Sequence, residues 1–333
     1  MFSLRGWIPE PEINVNSRTL KKGYIRVPAG QKPGRLRRLS RALAGSVLSP
    51  LYWILARLCR GPGLRFRWRC AILGLNLLRK RKGHLSYSDF YRLFFWPIDS
   101  VRYFEFDFMW EALSKVRFHN YLDISSPRLF PVIFLREHPH ITAELVNPDK
   151  ADLQATGSLV IACGLDDRCH LRNCLIDDVP SAPESFDAVT SISVIEHIRD
   201  DKNAVKNMWG LLKPGGTLLL SMPCAAVAEE EYLDVDFYGV QVPDEHGFFF
   251  HQYKYDHSLL EERIYSVTGP PTRFAIFGEK RRGTLQSWLF KRWTGQKYPL
   301  WKEPYAVARE FRYYKSLLDL PGDGVIAMEF VKR

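Results

Sequence analysis

Imidazoles, thiols and carboxylates lying close together are the groups from which a protein builds chemistry, and this chain has three such groupings. Cys163, Cys169, His170 and Cys174 include the residue types of a metal site. Structural zinc sites, however, pair their ligands about two to four residues apart, so this spacing predicts buried or incidental thiols. Asp244, Glu245, His246, His251 and Gln252 fall in an aromatic-rich stretch, too irregularly spaced for metal ligation, and no metal is expected there. The third grouping is Ser193–Ile198, SVIEHI, which puts His197 just behind a strand-like run. An imidazole there is a candidate general base.

The run around that histidine, FDAVTSISVIEHIRDDKNAVKNMWGLLKPGGTLLLSMP, extends from Phe186 to Pro223. An acid begins a buried strand, a short loop with Ser191 and Ser193 leaves the sheet's carboxyl edge, and a helix follows. Pro214-Gly215-Gly216 then turns tightly into the next strand. In this order, Phe186-Asp187-Ala188-Val189, SVIEHI, LLKPGG and TLLLSMP resemble the fourth-strand, post-strand and fifth-strand blocks of class I S-adenosylmethionine-dependent methyltransferases. The resemblance is nearest to the branch acting on small molecules, lipids and glycans. It covers the chain from about Phe118 onward.

The resemblance implies where S-adenosylmethionine would sit. The glycine-rich loop after the first strand corresponds to LDISSPRL: Asp123 is kept, while the family's three glycines fall on Ser125, Pro127 and Leu129. Glycine in such a turn allows positive φ and a close approach of backbone to ligand. Two readings follow. Either the Ser125 and Ser126 hydroxyls replace the lost contacts and Pro127 starts the helix, or cofactor binding is weak or absent. At the ribose position the sequence has Asn147, with Asp149 two residues on; an amide both donates and accepts, without the charge-assisted bond of an acid. Asp177 takes the adenine position, Ser191 lies at the fourth strand's edge, and His197 is the expected base for a hydroxyl acceptor. Each of the Asp and Asn residues also reads as a helix or loop cap.

Strand-like and helix-like segments alternate from FHNYLDI to TLLLSMP. That pattern predicts an α/β fold, a doubly wound, mostly parallel sheet with its ligand at the strands' carboxyl ends; the resemblance implies seven strands in a Rossmann-like arrangement. The expected organisation is an irregular leader (1–34), a basic, aromatic-rich helical extension (35–115) and a methyltransferase-like domain (116–333) with insertions at about 224–271 and 279–323. In the resembled fold the first insertion covers the acceptor pocket, and its aromatics and few polar groups suit a sugar or an amphiphile.

Charge is segregated along the 333 residues. Residues 1–100 hold 20 Lys and Arg against 4 Asp and Glu, and the remainder 27 against 33. No acid occurs from Ile13 to Ser88, an interval with 18 basic residues. Between Arg35 and Lys82 basic clusters alternate with apolar blocks, which Pro50 and Gly61-Pro62-Gly63 are expected to divide into short helices. The uncharged run Ala42–Ala56 falls short of the roughly 20 residues of a spanning helix. The segment reads equally as a helical subdomain packed on the protein or as an interfacial element at an anionic membrane surface. Six cysteines without paired spacing predict a reducing, cytoplasmic setting. The function expected is methyl transfer from S-adenosylmethionine to an oxygen of a small, glycan-like or lipid-linked acceptor. The alternatives are a non-catalytic scaffold of the same fold and a nucleic-acid methyltransferase, the latter disfavoured by the acidic balance beyond residue 100.

Overall fold

A computed structural model describes residues 20–27, 34–79, 86–237, 241–293 and 300–333. Most of the leader, residues 1–19 and 28–33, lies outside them.

The central sheet is built from β2 (Asn120–Ile124), β3 (Thr142–Val146), β4 (Cys169–Arg172), β5 (Phe186–Ile192), β6 (Leu212–Cys224), β9 (Arg273–Glu279), β10 (Phe311–Tyr314) and β11 (Gly324–Val331). Its order is β10-β9-β11-β6-β5-β2-β3-β4. The five strands from β6 to β4 are parallel, while β11 runs antiparallel to both β6 and β9. Eight strands stand where seven are expected: β10, from the second insertion, adds an edge beside β9. Chain order reverses between β2 and β5, the switch point at which such sheets bind ligands.

Each strand alternates its side chains between two cores. Leu219, Val325 and Ala327 face one; Leu218, Leu220, Ile326, Met328 and Phe330 face the other. Crossover helices α5 (Leu129–Glu137) and α6 (Lys150–Cys163) cover the first face, and α7 (Asp201–Leu211) covers the second. Asp149 caps α6 by accepting from the N–H groups of Ala151 and Asp152, and Gly164 closes it in a left-handed conformation.

The N-terminal segment differs from expectation in two ways. The leader is not wholly irregular: β1 (Lys21–Ile25) pairs in parallel with β7 (Glu229–Leu233), which pairs with β8 (Phe249–Lys254) in a second, three-stranded sheet. Pro50 does not divide the next segment; α1 (Arg35–Leu58) runs through it as one helix of 24 residues. The extension shares the main core, in keeping with its reading as a helical segment packed on the protein. Phe66 and Leu73 of α2 (Leu64–Arg79), Leu93 of α3 (Tyr87–Phe95), and Phe104 and Met109 of α4 (Arg102–Leu113) pack in one cluster with Phe130 and Phe134 of α5.

The remaining elements finish the second half. His257–Leu260 (α8) leads through a π-helical turn, Glu261–Tyr265, into Ser266–Thr268 (α9); α10 (Thr284–Trp293) and α11 (Glu303–Glu310) fill the second insertion.

Candidate functional site

The site is framed by the carboxyl ends of β2, β3, β4, β5 and β6, and it divides into two halves of different character. The first half follows β2. Asp123 is 2 % exposed; its Oδ2 accepts from Thr190 Oγ1 at 2.6 Å and Tyr121 Oη at 3.2 Å, and its Oδ1 from the Ser126 N–H at 3.1 Å. Burial lifts its carboxyl to about 6. Ser126, also buried, accepts the Ile192 N–H on Oγ at 3.1 Å, and Ser191 Oγ lies 3.4 Å from the Ile124 carbonyl. Ser125 holds φ at +53°, and both its N–H (2.8 Å) and its hydroxyl (3.1 Å) donate to the Val146 carbonyl.

The loop thus keeps the left-handed turn that a glycine would make there, but a serine makes it. Its side chains staple β2 to β3 and β5. Asp123, Ser126 and Ser191 are buried (Ser191 at 0 % exposed), and their polar atoms bond within the sheet and its loop. Ser191 also lies within β5 and not in the loop after it. Pro127 precedes α5, and its carbonyl accepts the Phe130 N–H at 2.9 Å.

Ser125, Asn147 and Asp177 keep surface at the edge. Asn147 Oδ1 accepts the Asp149 N–H at 2.9 Å while its Nδ2 donates to Asp152 Oδ2 at 3.0 Å. Asn173 Nδ2 donates to the Asn147 carbonyl at 2.9 Å, which joins the loops after β3 and β4. Asp177, in a single 3-10 turn, accepts from Asn207 Nδ2 of α7 at 2.5 Å.

The second half follows β5 and β6. Glu105, fully buried on α4, is met by the Arg102 guanidinium at 2.8 Å and by the hydroxyls of Ser221 (2.7 Å) and Ser193. Ser193 takes φ of +47°, and its N–H bonds to the Ser221 carbonyl at 2.9 Å. Beside this cluster a 3-10 turn, Ile195–His197, carries Glu196 and His197. Glu196 is 1 % exposed and its Oε2 has no hydrogen-bond partner among the described residues. Burial pushes its carboxyl up to about 8 against the smaller opposing pull of Arg102. His197 is half-buried, and burial, with the His251 ring adding to it, lowers its pKa to about 4. Its Nδ1 lies 2.6 Å from the His251 carbonyl. A carbonyl only accepts, so Nδ1 carries the proton and Nε2, 3.8 Å from Glu196 Oε1, is the basic nitrogen.

β8 closes over this half, bringing the His251 ring to 5.1 Å from that of His197. Behind it, Lys254 is tied to Glu231 at 2.7 Å and Asp323 at 2.9 Å, fastening the small sheet to the large one. Sequence reasoning missed Glu105, Arg102 and Glu196. Glu105 had a signal: an acid in the aromatic run YFEFDFMW, three residues after an arginine, is a charge that a buried helix has to satisfy. Among the described residues no group of three or more metal-binding side chains occurs.

Comparison with known proteins follows this geometry. Residues 142–220 match the family described as a methyltransferase domain. The match opens on β3 and closes within β6, and so begins past the serine-bearing loop. The methyltransferase GfsG of Streptomyces halstedii is 26 % identical over 113 residues, which are 34 % of this chain and 41 % of that protein. The chain therefore matches about two fifths of that relative's length. Among solved structures, geranyl diphosphate C-methyltransferase from Streptomyces coelicolor A3(2) is 14 % identical with a TM-score of 0.41, over 65 % of this chain and 70 % of that one. The YcgJ protein from Bacillus subtilis is 15 % identical with a TM-score of 0.45, over 69 % and 98 %. The methyltransferase-domain match thus lies on β3 to β6, four of the five strands that frame the site.

Proposed function

We propose that the protein transfers a methyl group from S-adenosylmethionine to an oxygen of a small acceptor, glycan-like or lipid-linked, near a membrane surface. The observation that carries this reading is the pair Glu196 and His197 at the switch point, one carboxyl lifted and one imidazole held neutral by burial. Paired perturbations of this kind mark sites built for proton handling.

The donor set suits the cofactor. Asn147 offers an amide that can meet a ribose diol, Asp177 an acceptor for an exocyclic amine, and the Ser125 turn leads the backbone past the edge as a glycine turn would. When bound, S-adenosylmethionine supplies an electrophilic methyl group on a sulfonium. The protein's own residues must orient an acceptor oxygen and remove its proton. His197 Nε2 takes that proton, and the His251 carbonyl, bonded to Nδ1–H, fixes the tautomer and steadies the imidazolium that forms. The Glu196 carboxylate, 3.8 Å away, lowers the cost of that charge whenever it is ionised. Arg102 and Glu105 position the Ser193 turn that leads into this segment, while α4 and β8 keep water out.

A second reading has its own observation: in the β2–α5 loop Asp123 and Ser126 are spent on internal bonds, as a non-catalytic binding protein of the same fold would tolerate. Methyl transfer from labelled S-adenosylmethionine into lipid-extractable and glycan fractions tests the enzyme. His197→Ala should bind the cofactor unchanged and lose about 10²-fold or more in turnover. The acid limb of the wild-type turnover profile should fall near pH 4, where His197 protonates. A His197→Ala protein with full turnover would remove the histidine from the mechanism.

A further inference from the structure

Helix α1 has two faces that a soluble helix would not combine. One is seated on the protein. Gly45 lies so close to Tyr91 Oη and Trp301 that a Cβ would collide with both, Tyr91 Oη donates to the Ala42 carbonyl at 2.9 Å, and Arg67 reaches Ser49 Oγ at 2.5 Å. Ser49 and Ala56 are fully buried along this seam. The opposite face, rotated about half a turn, carries Leu36, Leu39, Leu43, Val47, Ile54 and Leu58. All six are exposed, with Leu36 at 85 % and Val47 and Leu58 at 75 %. In water that stripe would be polar; here it is apolar along a helix about 36 Å long.

The neighbouring helix repeats the pattern. Trp68, Ile72, Leu75 and Leu78 of α2 are exposed, and Trp68 stacks on Trp53 of α1 at 5.5 Å, so the two apolar rows meet at a tryptophan pair. Along the two helices themselves the charge has one sign. No acid occurs between Ile13 and Ser88, and Arg57 and Arg60 are exposed and form no ion pair among the described residues. Packing two copies of this face together would oppose arginine to arginine, whereas phosphate headgroups would neutralise them.

We propose that α1 and α2 form an in-plane docking surface for an anionic phospholipid bilayer, with the leucine and valine row in the acyl boundary and the arginines at the phosphates. By length and composition Leu39–Leu58 could cross a membrane, and only 17 % of that window is buried in the protein. Crossing, however, would strip α1 from Tyr91, Trp301 and Arg67, so the helix lies on the surface. This deepens the membrane part of the proposed function but is independent of its chemistry: the test needs neither cofactor nor acceptor.

The full chain is sedimented with phosphatidylcholine vesicles containing about 30 % phosphatidylglycerol, and with phosphatidylcholine alone. The expected result is binding to the anionic vesicles, at least about tenfold weaker on the neutral ones and similarly weakened in about 0.5 M NaCl. Leu43→Asp/Val47→Asp/Ile54→Asp alters only exposed positions; it should keep the wild-type melting temperature and lose vesicle binding. Three results would overturn the proposal. One is a folded wild-type protein that stays in the supernatant with anionic vesicles at low salt. Another is a triple variant that binds them undiminished. The last is a wild-type dimer in vesicle-free buffer that the triple variant converts to monomer by light scattering, since a second copy would then cover the face.

Discussion

The two halves of the site differ in what their polar groups are for. In the loop after β2, the inward-facing groups find partners inside the protein: Asp123 with Tyr121, Thr190 and Ser126, and Ser126 with Ile192. The half after β5 and β6 is under electrostatic load. It buries Glu105 against Arg102, leaves Glu196 Oε2 without a hydrogen-bond partner among the described residues, and holds His197 neutral. The first half is a frame and the second is where protonation states are poised, so divergence in the loop and retention in the post-strand block are compatible in one protein. The matched methyltransferase domain includes Ser193, Glu196 and His197 but not the loop after β2.

The contrast is broken most forcefully at Glu105. Glu105→Ala removes the carboxylate that the half-buried Arg102 and the buried Ser221 hydroxyl bond to, and should cost about 3 kcal/mol or more in urea unfolding. A loss within about 0.5 kcal/mol, as at an ordinary surface position, would mean that the charge cluster is not buried.

Next in size is Glu196→Gln, whose effect depends on pH. Because the folded carboxyl titrates near 8 and the unfolded one at its ordinary 4.5, the folded chain holds a proton that the unfolded chain has released between these values. Stability therefore falls as pH rises through that window, and glutamine removes the penalty. The variant should gain about 3 kcal/mol over wild type at pH 9 and little at pH 4. A gain that does not vary with pH would contradict the poised carboxyl.

Ser126→Ala, in the frame, is the smallest. It should cost about 1–2 kcal/mol by unbonding the Ile192 N–H, speed hydrogen exchange at that amide, and leave cofactor affinity unchanged. A marked loss of affinity would bring the frame back into the binding site.

Much of this was legible in the sequence, for identifiable reasons. The parallel sheet followed from apolar runs alternating with helical periods, and the post-β5 segment from an acid, a loop and a Pro-Gly-Gly turn in fixed order. The burial of Asp123, Ser126 and Ser191 was not legible, because a short polar residue at a strand end bonds equally well to a ligand or to the neighbouring strand. Nor was the run of α1 through Pro50. A proline at an exposed position can be carried when the helix is held from its other side, here by Tyr91 and Arg67. β10 and β1 escaped because a lone edge strand has no periodic signal beyond its own few residues.

The central claim is that the site binds S-adenosylmethionine with this serine-bearing loop as its frame. Calorimetric titration of the full chain with S-adenosylhomocysteine tests it without any acceptor. Saturable heat, with a rise in melting temperature on adding the ligand, is the predicted result. No heat and no thermal shift at about millimolar ligand, from protein that melts cooperatively, would contradict it.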